Sequence, residues 1–127
     1  MYNLEPTLII GNTDQLRLLA LLDLHQSPAS EKLSAELHRA QIVEQRDVPV
    51  NVVAMNAEVV YEDCDTHARR TVRIVYPQDA DAARGRVSVL APIGSALLGL
   101  RVGQTISWDV PNGTKRIRVL EVHYEGR

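Results

Sequence analysis

Thr105-Ile-Ser-Trp-Asp-Val-Pro-Asn-Gly-Thr-Lys-Arg-Ile-Arg-Val-Leu-Glu-Val-His-Tyr124 is the stretch whose reading decides the fold. Ile106, Trp108 and Val110 alternate with Thr105, Ser107 and Asp109, the period of two that marks a half-buried strand. Pro111-Asn112-Gly113 supplies a turn, because Pro presets its own φ while Asn and Gly tolerate positive φ. A second strand follows from Lys115 to Tyr124, but with a fault in phase. Ile117 and Val119 share one face, and Leu120, Val122 and Tyr124 share the other. One extra residue, a β-bulge near Val119–Leu120, restores the alternation.

The same period recurs upstream. Met55, Ala57, Val59 and Tyr61 alternate with Asn56, Glu58 and Val60. Val72, Ile74 and Tyr76 alternate with Thr71, Arg73 and Val75, and the shorter pair Val87 and Val89 follows Arg86 and Ser88. Ala91 to Leu100 interrupts the strands with one short helical segment near Ser95 to Leu98, punctuated by Gly94 and Gly99. Asp79 to Gly85 is a polar loop. Pro49 opposes helix at Val48, and before it the period is helical. Thr7 to Ile10 is a brief apolar run of β character. Asn12 or Thr13 can cap a helix that carries Leu16, Leu18, Leu19, Leu21, Leu22 and Leu24. That stripe is too wide for an exposed helix and has to be covered on more than one side. Pro28 and Ser30 restart a helix through about Val43, with Leu33, Leu37 and Ala40 on one face. The short connection makes the two helices antiparallel neighbours. The expected fold is therefore α+β. A helical hairpin lies within residues 1–48, each arm about 18–22 Å long. A mostly antiparallel β-domain with one short helix occupies residues 49–127.

Composition narrows the function. The chain has 127 residues, 45% hydrophobic and 24% charged, with a formal net charge of −2. Long-range attraction to nucleic acid is thus not built into the whole molecule. The one cysteine, Cys64, cannot form an internal disulfide, which suits a reducing, cytoplasmic setting. The N-terminus does not read as a signal peptide, and no apolar run reaches the roughly 20 residues of a membrane helix.

Catalytic signals are weak. Cys64 and His67 sit in what reads as a solvated turn, and too few firm ligands surround them for zinc. Gly99-Leu-Arg-Val-Gly103 lacks the context of a phosphate loop. Arg116 and Arg118, with Lys115, Arg69 and Arg70, could touch phosphates weakly, but few aromatics are present to stack on bases. Asp23 and Glu31 flank the hairpin tip. The simpler reading is that Asp23 closes one helix and Glu31 favours the first turn of the next. A Mg²⁺ pair is the alternative. No enzyme activity, cofactor or metal is expected.

Val87-Ser-Val-Leu-Ala-Pro-Ile-Gly-Ser-Ala-Leu-Leu-Gly-Leu-Arg-Val-Gly103, then Pro111-Asn-Gly113 and Val119-Leu-Glu-Val-His-Tyr124, closely resemble the C-terminal domain of Gre transcript-cleavage factors. The whole chain resembles still more the Rnk family, named regulators of nucleoside diphosphate kinase. The cues are Ala35-Glu-Leu-His-Arg-Ala-Gln41, Val53-Ala-Met-Asn56, Val75-Tyr-Pro77 and Ala96-Leu-Leu-Gly-Leu-Arg-Val-Gly103. The resemblance implies a short hairpin on a Gre-type, FKBP-like β-domain that binds RNA polymerase near its secondary channel and competes with Gre factors. It also implies a docking role, against a coiled coil of the polymerase largest subunit, for Pro92, Ile93, Gly94, Ala96 and Leu97. Gre factors reach the catalytic Mg²⁺ with the acidic tip of a long coiled coil. These arms are far shorter, so Asp23 and Glu31 do not inherit that role. Two alternatives stay open: a true transcript-cleavage factor, or a direct regulator of nucleoside diphosphate kinase.

Overall fold

The computed structural model describes residues 8–110 and 113–124. A short strand, β1 (Ile9–Gly11), leads into helix α1 (Asn12–Leu24), helix α2 (Pro28–Arg39) and strand β2 (Gln41–Val43). The sheet strands follow: β3 (Glu58–Asp63), β4 (Arg69–Val75), β5 (Arg86–Ser88), β6 (Thr105–Val110) and β7 (Gly113–His123), with helix α3 (Pro92–Leu97) between β5 and β6.

The helical hairpin stands where the period placed it, but its ends differ. Gly11, in extended conformation, is the N-cap of α1, without a side-chain cap. Asn12 instead accepts the Gln45 N–H on Oδ1 at 3.0 Å. Helix α2 starts with a reciprocal capping box, in which Ser27 Oγ accepts from Ser30 N at 3.1 Å and Ser30 Oγ accepts from Ser27 N at 2.7 Å. It stops at Arg39 and not near Val43. Ala40 turns extended, the Gln41 N–H donates to Leu8 O at 2.8 Å, and β2 pairs in parallel with β1. The β-branched Ile42 and Val43 suit a strand better than a fourth helical turn. The hairpin is thus a crossover between two parallel strands.

The larger sheet has the order β5-β4-β3-β7-β6. Every pair is antiparallel except β4–β5, which is parallel, so the sheet is mixed. The cause lies in residues 77–85. Two 3₁₀ turns, Pro77–Asp79 and Ala82–Arg84, and the left-handed Gly85 carry the chain back to start β5 beside Arg73. The strand expected from Met55 begins only at Glu58, because Asn56 sits at positive φ and breaks the extended run. The bulge is where the phase fault put it. Val60 pairs with Glu121 and Tyr61 with Val119, so Leu120 is the extra residue. Ile117, Val119 and Val122 all pack on the core as a result. Pro111 and Asn112 of the expected turn lie outside the described residues.

One hydrophobic cluster runs from Leu18, Leu22, Leu33 and Leu37 of the hairpin to Val59 and Val119 of the sheet. Among the described residues, no helix is long and apolar enough to cross a membrane.

Candidate docking site

The segment from Ser88 to Leu100 is shaped from its backbone outward. Ser88 folds it over: its Oγ accepts the Leu90 N–H at 3.0 Å and its carbonyl accepts the Ala91 N–H at 3.0 Å. Pro92, at the first turn of α3, needs no N–H partner there. Gly94 is dictated by space, because a Cβ would lie 2.2 Å from Ser88 O. Gly99 is dictated twice. Its φ is +83°, and a Cβ would lie 2.8 Å from Leu8 Cβ. Beyond α3 the chain is clamped by Gly99 N–H to Val53 O and Val53 N–H to Leu100 O, both 2.8 Å. Leu97, Leu98 and Leu100 are fully buried beneath it.

This architecture divides the five candidate residues. Pro92 is exposed, and Ile93 and Ala96 are half-buried at the surface. Gly94 and Leu97 are buried and present no side chain to a partner. Leu97 holds α3 down, and Gly94 lets it approach β5. Ile93 and Leu97, one helical turn apart, therefore do not share an outward face. Ile93 instead shares the rim with Pro92 and Ala96. Helix α2 packs against α3, so the surface is joined to the hairpin.

At the tip, Asp23 and Glu31 are both exposed. No group of three or more metal-ligating side chains occurs among the described residues. Asp63, Cys64 and His67 do form a turn. Asp63 Oδ1 accepts from Asp65 N at 2.8 Å and from Thr66 N at 3.1 Å, and His67 takes positive φ. The Asp65 and Thr66 amides, with Lys115 Nζ at 3.1 Å, hold the Asp63 carboxyl below the usual carboxylate range. Much of the basic strip is paired. Arg69 meets Glu62 at 3.3 Å, Lys115 meets Asp63, and Arg116 meets Asp65 at 3.5 Å. Mutual pairing of this kind leaves little free positive charge for a phosphate backbone.

Sequence reading missed the junction between hairpin and sheet. Asp14 is buried in the first turn of α1. Its Oδ2 accepts from Gln45 Nε2 at 3.1 Å and from Met55 N at 3.2 Å, and its own N–H donates to Gln45 Oε1 at 2.9 Å. One carboxylate thus ties α1, the 3₁₀ turn Gln45–Asp47 and the entry to β3. An acid in a first turn is the ordinary preference for a helix N-terminus, so nothing in the pattern distinguished Asp14. Nearby, the Tyr76 ring lies under the Arg17 guanidinium, 4.5 Å from the centroid. The Tyr76 hydroxyl is buried and has no hydrogen-bond partner among the described residues. Burial, and then the Asp14 charge, push its pKa up to about 12.

Residues 48–124 match the family described as transcription elongation factor GreA/GreB, C-terminal, and residues 6–43 match the Rnk N-terminus. The regulator of nucleoside diphosphate kinase of Escherichia coli K12 is 38% identical over 95% of this chain and 92% of its own length. The chain belongs to the Rnk family. Its Gre-type half is also similar to the elongation factor GreA of Thermodesulfovibrio yellowstonii, 30% identical over 75% of this chain and 60% of that protein. Among solved structures, the prokaryotic transcription elongation factor GreA/GreB from Nitrosomonas europaea aligns with a TM-score of 0.79 and 39% identity. That alignment covers 94% of this chain and all of the other. Gfh1 of Thermus aquaticus, at 24% identity and a TM-score of 0.54, shares the fold. Rnk membership and a Gre-type domain make the chain a Gre-related regulator, as its residues implied, with an α+β fold of two N-terminal helices and a sheet bearing one short helix.

Proposed function

We propose that this Rnk-family protein is a non-enzymatic cytoplasmic regulator that binds bacterial RNA polymerase near the secondary channel and excludes Gre-type factors from it. The observation that carries the reading is the form of the Ser88–Leu100 segment. It is clamped on both sides, and it offers Pro92, Ile93 and Ala96 at a preordered surface. A rigid surface loses less entropy on docking, and the fixed φ of Pro92 adds to that. The partner element would be a coiled coil of the polymerase largest subunit.

Hairpin length argues against cleavage. At 1.5 Å per residue, the 13 residues of α1 span about 20 Å and the 12 of α2 about 18 Å. Asp23 and Glu31 at the tip are solvated, with no third ligand-bearing group assembled beside them among the described residues. A second reading rests on the relative's name: direct regulation of nucleoside diphosphate kinase.

The test is a pull-down with purified polymerase core and purified kinase. Pro92→Glu and Ile93→Asp should each weaken capture of polymerase by about tenfold or more, as charge in a docking surface does. Pro92→Glu, at an exposed position, should leave the melting temperature nearly unchanged, whereas the half-buried Ile93 carries some stability cost. Capture of kinase alone, or undiminished capture of polymerase by both variants, overturns the proposal.

A further inference from the structure

Helix α1 is apolar nearly all round, yet the fold covers only part of it. Leu18 and Leu22 are buried, and Leu19 and Leu21 pack partly on the core. Leu16 is 68% exposed and Leu24 80% exposed, with exposed Ala20 between them. The leucine stripe, expected to be covered on more than one side, is covered at Leu18, Leu19, Leu21 and Leu22 and left open along its outer face. Residues 16, 20 and 24 follow the i, i+4, i+8 ridge of a helix surface.

The charges beside this ridge are placed symmetrically. Arg17 lies three residues before Ala20 and Asp23 three residues after it, and both are exposed. At 100° per residue they project about 60° to opposite sides of Ala20, and about 4.5 Å below and above it. Asp23 makes no ion pair or hydrogen bond among the described residues, and the contact of Arg17 is its stack on Tyr76. The surface is therefore apolar along one diagonal and carries plus and minus at the two ends of the other.

We propose that this face is a self-docking surface for a second copy of the chain. Consider a two-fold axis that lies in the interface, passes through Ala20 and runs across the Arg17–Asp23 diagonal. It sets Arg17 opposite the partner's Asp23 and Asp23 opposite the partner's Arg17. The same axis brings Leu16 against the partner's Leu16 and Leu24 against the partner's Leu24. The helices cross steeply at Ala20, where a methyl side chain allows close approach. Self-complementarity of this kind is what an isologous contact requires. A partner of single sign would leave either Arg17 or Asp23 facing like charge, which costs specificity. The ridge is small beside the roughly 800 Å² per partner of a stable interface, so the dimer is weak and forms at high concentration. It is separate from the α3 surface and does not depend on the polymerase reading.

Sedimentation equilibrium of the full chain at low salt, from about 10 µM to about 1 mM, tests it over the range that a small interface reaches. The apparent mass should rise from one chain toward two. Leu24→Glu and Asp23→Arg should each abolish the rise while the melting temperature holds. Both residues are exposed, so these two variants carry the test even where a change at Arg17 disturbs its stack on Tyr76. The double variant Arg17→Asp with Asp23→Arg reverses the polarity and should restore association to within about threefold, as for other designed charge pairs. A chain that stays monomeric throughout, or a dimer indifferent to Leu24→Glu and Asp23→Arg, overturns the proposal.

Discussion

Replacing Asp14 with alanine should loosen the hairpin from the sheet. The carboxylate accepts two hydrogen bonds, from Gln45 Nε2 at 3.1 Å and Met55 N at 3.2 Å. A hydrogen bond to a charged group contributes about 1.5–3 kcal/mol, and a buried donor left unmade costs about 1–3 kcal/mol. These overlap, because the Met55 N–H is counted in both, and solvent can reach part of the Gln45 amide. The expected loss is about 3 kcal/mol, or roughly 10 °C in melting temperature for a chain of this size. Asp14→Asn keeps one acceptor oxygen and should lose only about 1 kcal/mol. The assay is urea unfolding followed by circular dichroism, on Asp14→Ala, Gln45→Ala and the double variant. Since Gln45 and Asp14 share the network, the double variant should lose less than the two singles together, by about 1 kcal/mol. Gly11→Ala offers a check from outside the pair. Its new Cβ would meet Gln45 Oε1 at 2.2 Å and drive that side chain off Asp14. Additive losses, or an Asp14→Ala cost under about 0.5 kcal/mol, would refute the reasoning, because ordinary surface changes fall in that range.

Three further outcomes follow from the geometry. Tyr76→Phe removes a buried hydroxyl that has no partner and should be neutral or stabilising by up to about 1 kcal/mol at neutral pH, read from the urea midpoint. The Tyr76 pKa is raised, so the folded chain holds this proton when the unfolded chain has released it. That contribution is whole below pH 10 and fades as pH rises to about 12, at up to about 1.4 kcal/mol per unit. Tyr76→Phe should flatten that alkaline fall, and an unchanged alkaline profile would contradict it. Gly94→Ala sets a Cβ 2.2 Å from a backbone carbonyl that has no flexible end to move, so α3 must lift from β5, costing about 1–3 kcal/mol in thermal unfolding and weakening polymerase capture as well.

Much of this was legible in the sequence because it rested on period. The alternation of Ile106 to Val110 and of Lys115 to Tyr124 gave two paired strands, and their one phase fault located the bulge at Leu120. The leucines of α1 and α2 gave the hairpin. What escaped depended on non-local partners. Gln41–Val43 is too short to show a period and read as a helix end, and only its parallel pairing with Ile9–Gly11, where a short run of β character was visible, makes it a strand. The parallel start of β5 depends on two 3₁₀ turns inside a loop that reads only as polar. In the Ser88–Leu100 segment the sequence pointed to one short helix near Ser95 to Leu98, and α3 instead spans Pro92–Leu97, because Pro92 opens its first turn and Gly94 fits inside it. The sequence could not separate the outward Pro92, Ile93 and Ala96 from the inward Gly94 and Leu97, since a six-residue helix completes too few turns to define a face. Asp14 looked like any first-turn acid.

The central claim is occupancy of the polymerase site that Gre factors use, without cleavage. It is tested most directly by titrating this chain into backtracked polymerase complexes holding a fluorescent GreA whose tip acids are neutralised, so that it binds without cutting, and reading anisotropy and RNA length together. The account predicts that the chain displaces GreA and that the RNA stays uncut as GreA leaves. Retention of GreA at saturating chain, or RNA shortening that persists with this chain alone and is lost in Asp23→Ala, would contradict it.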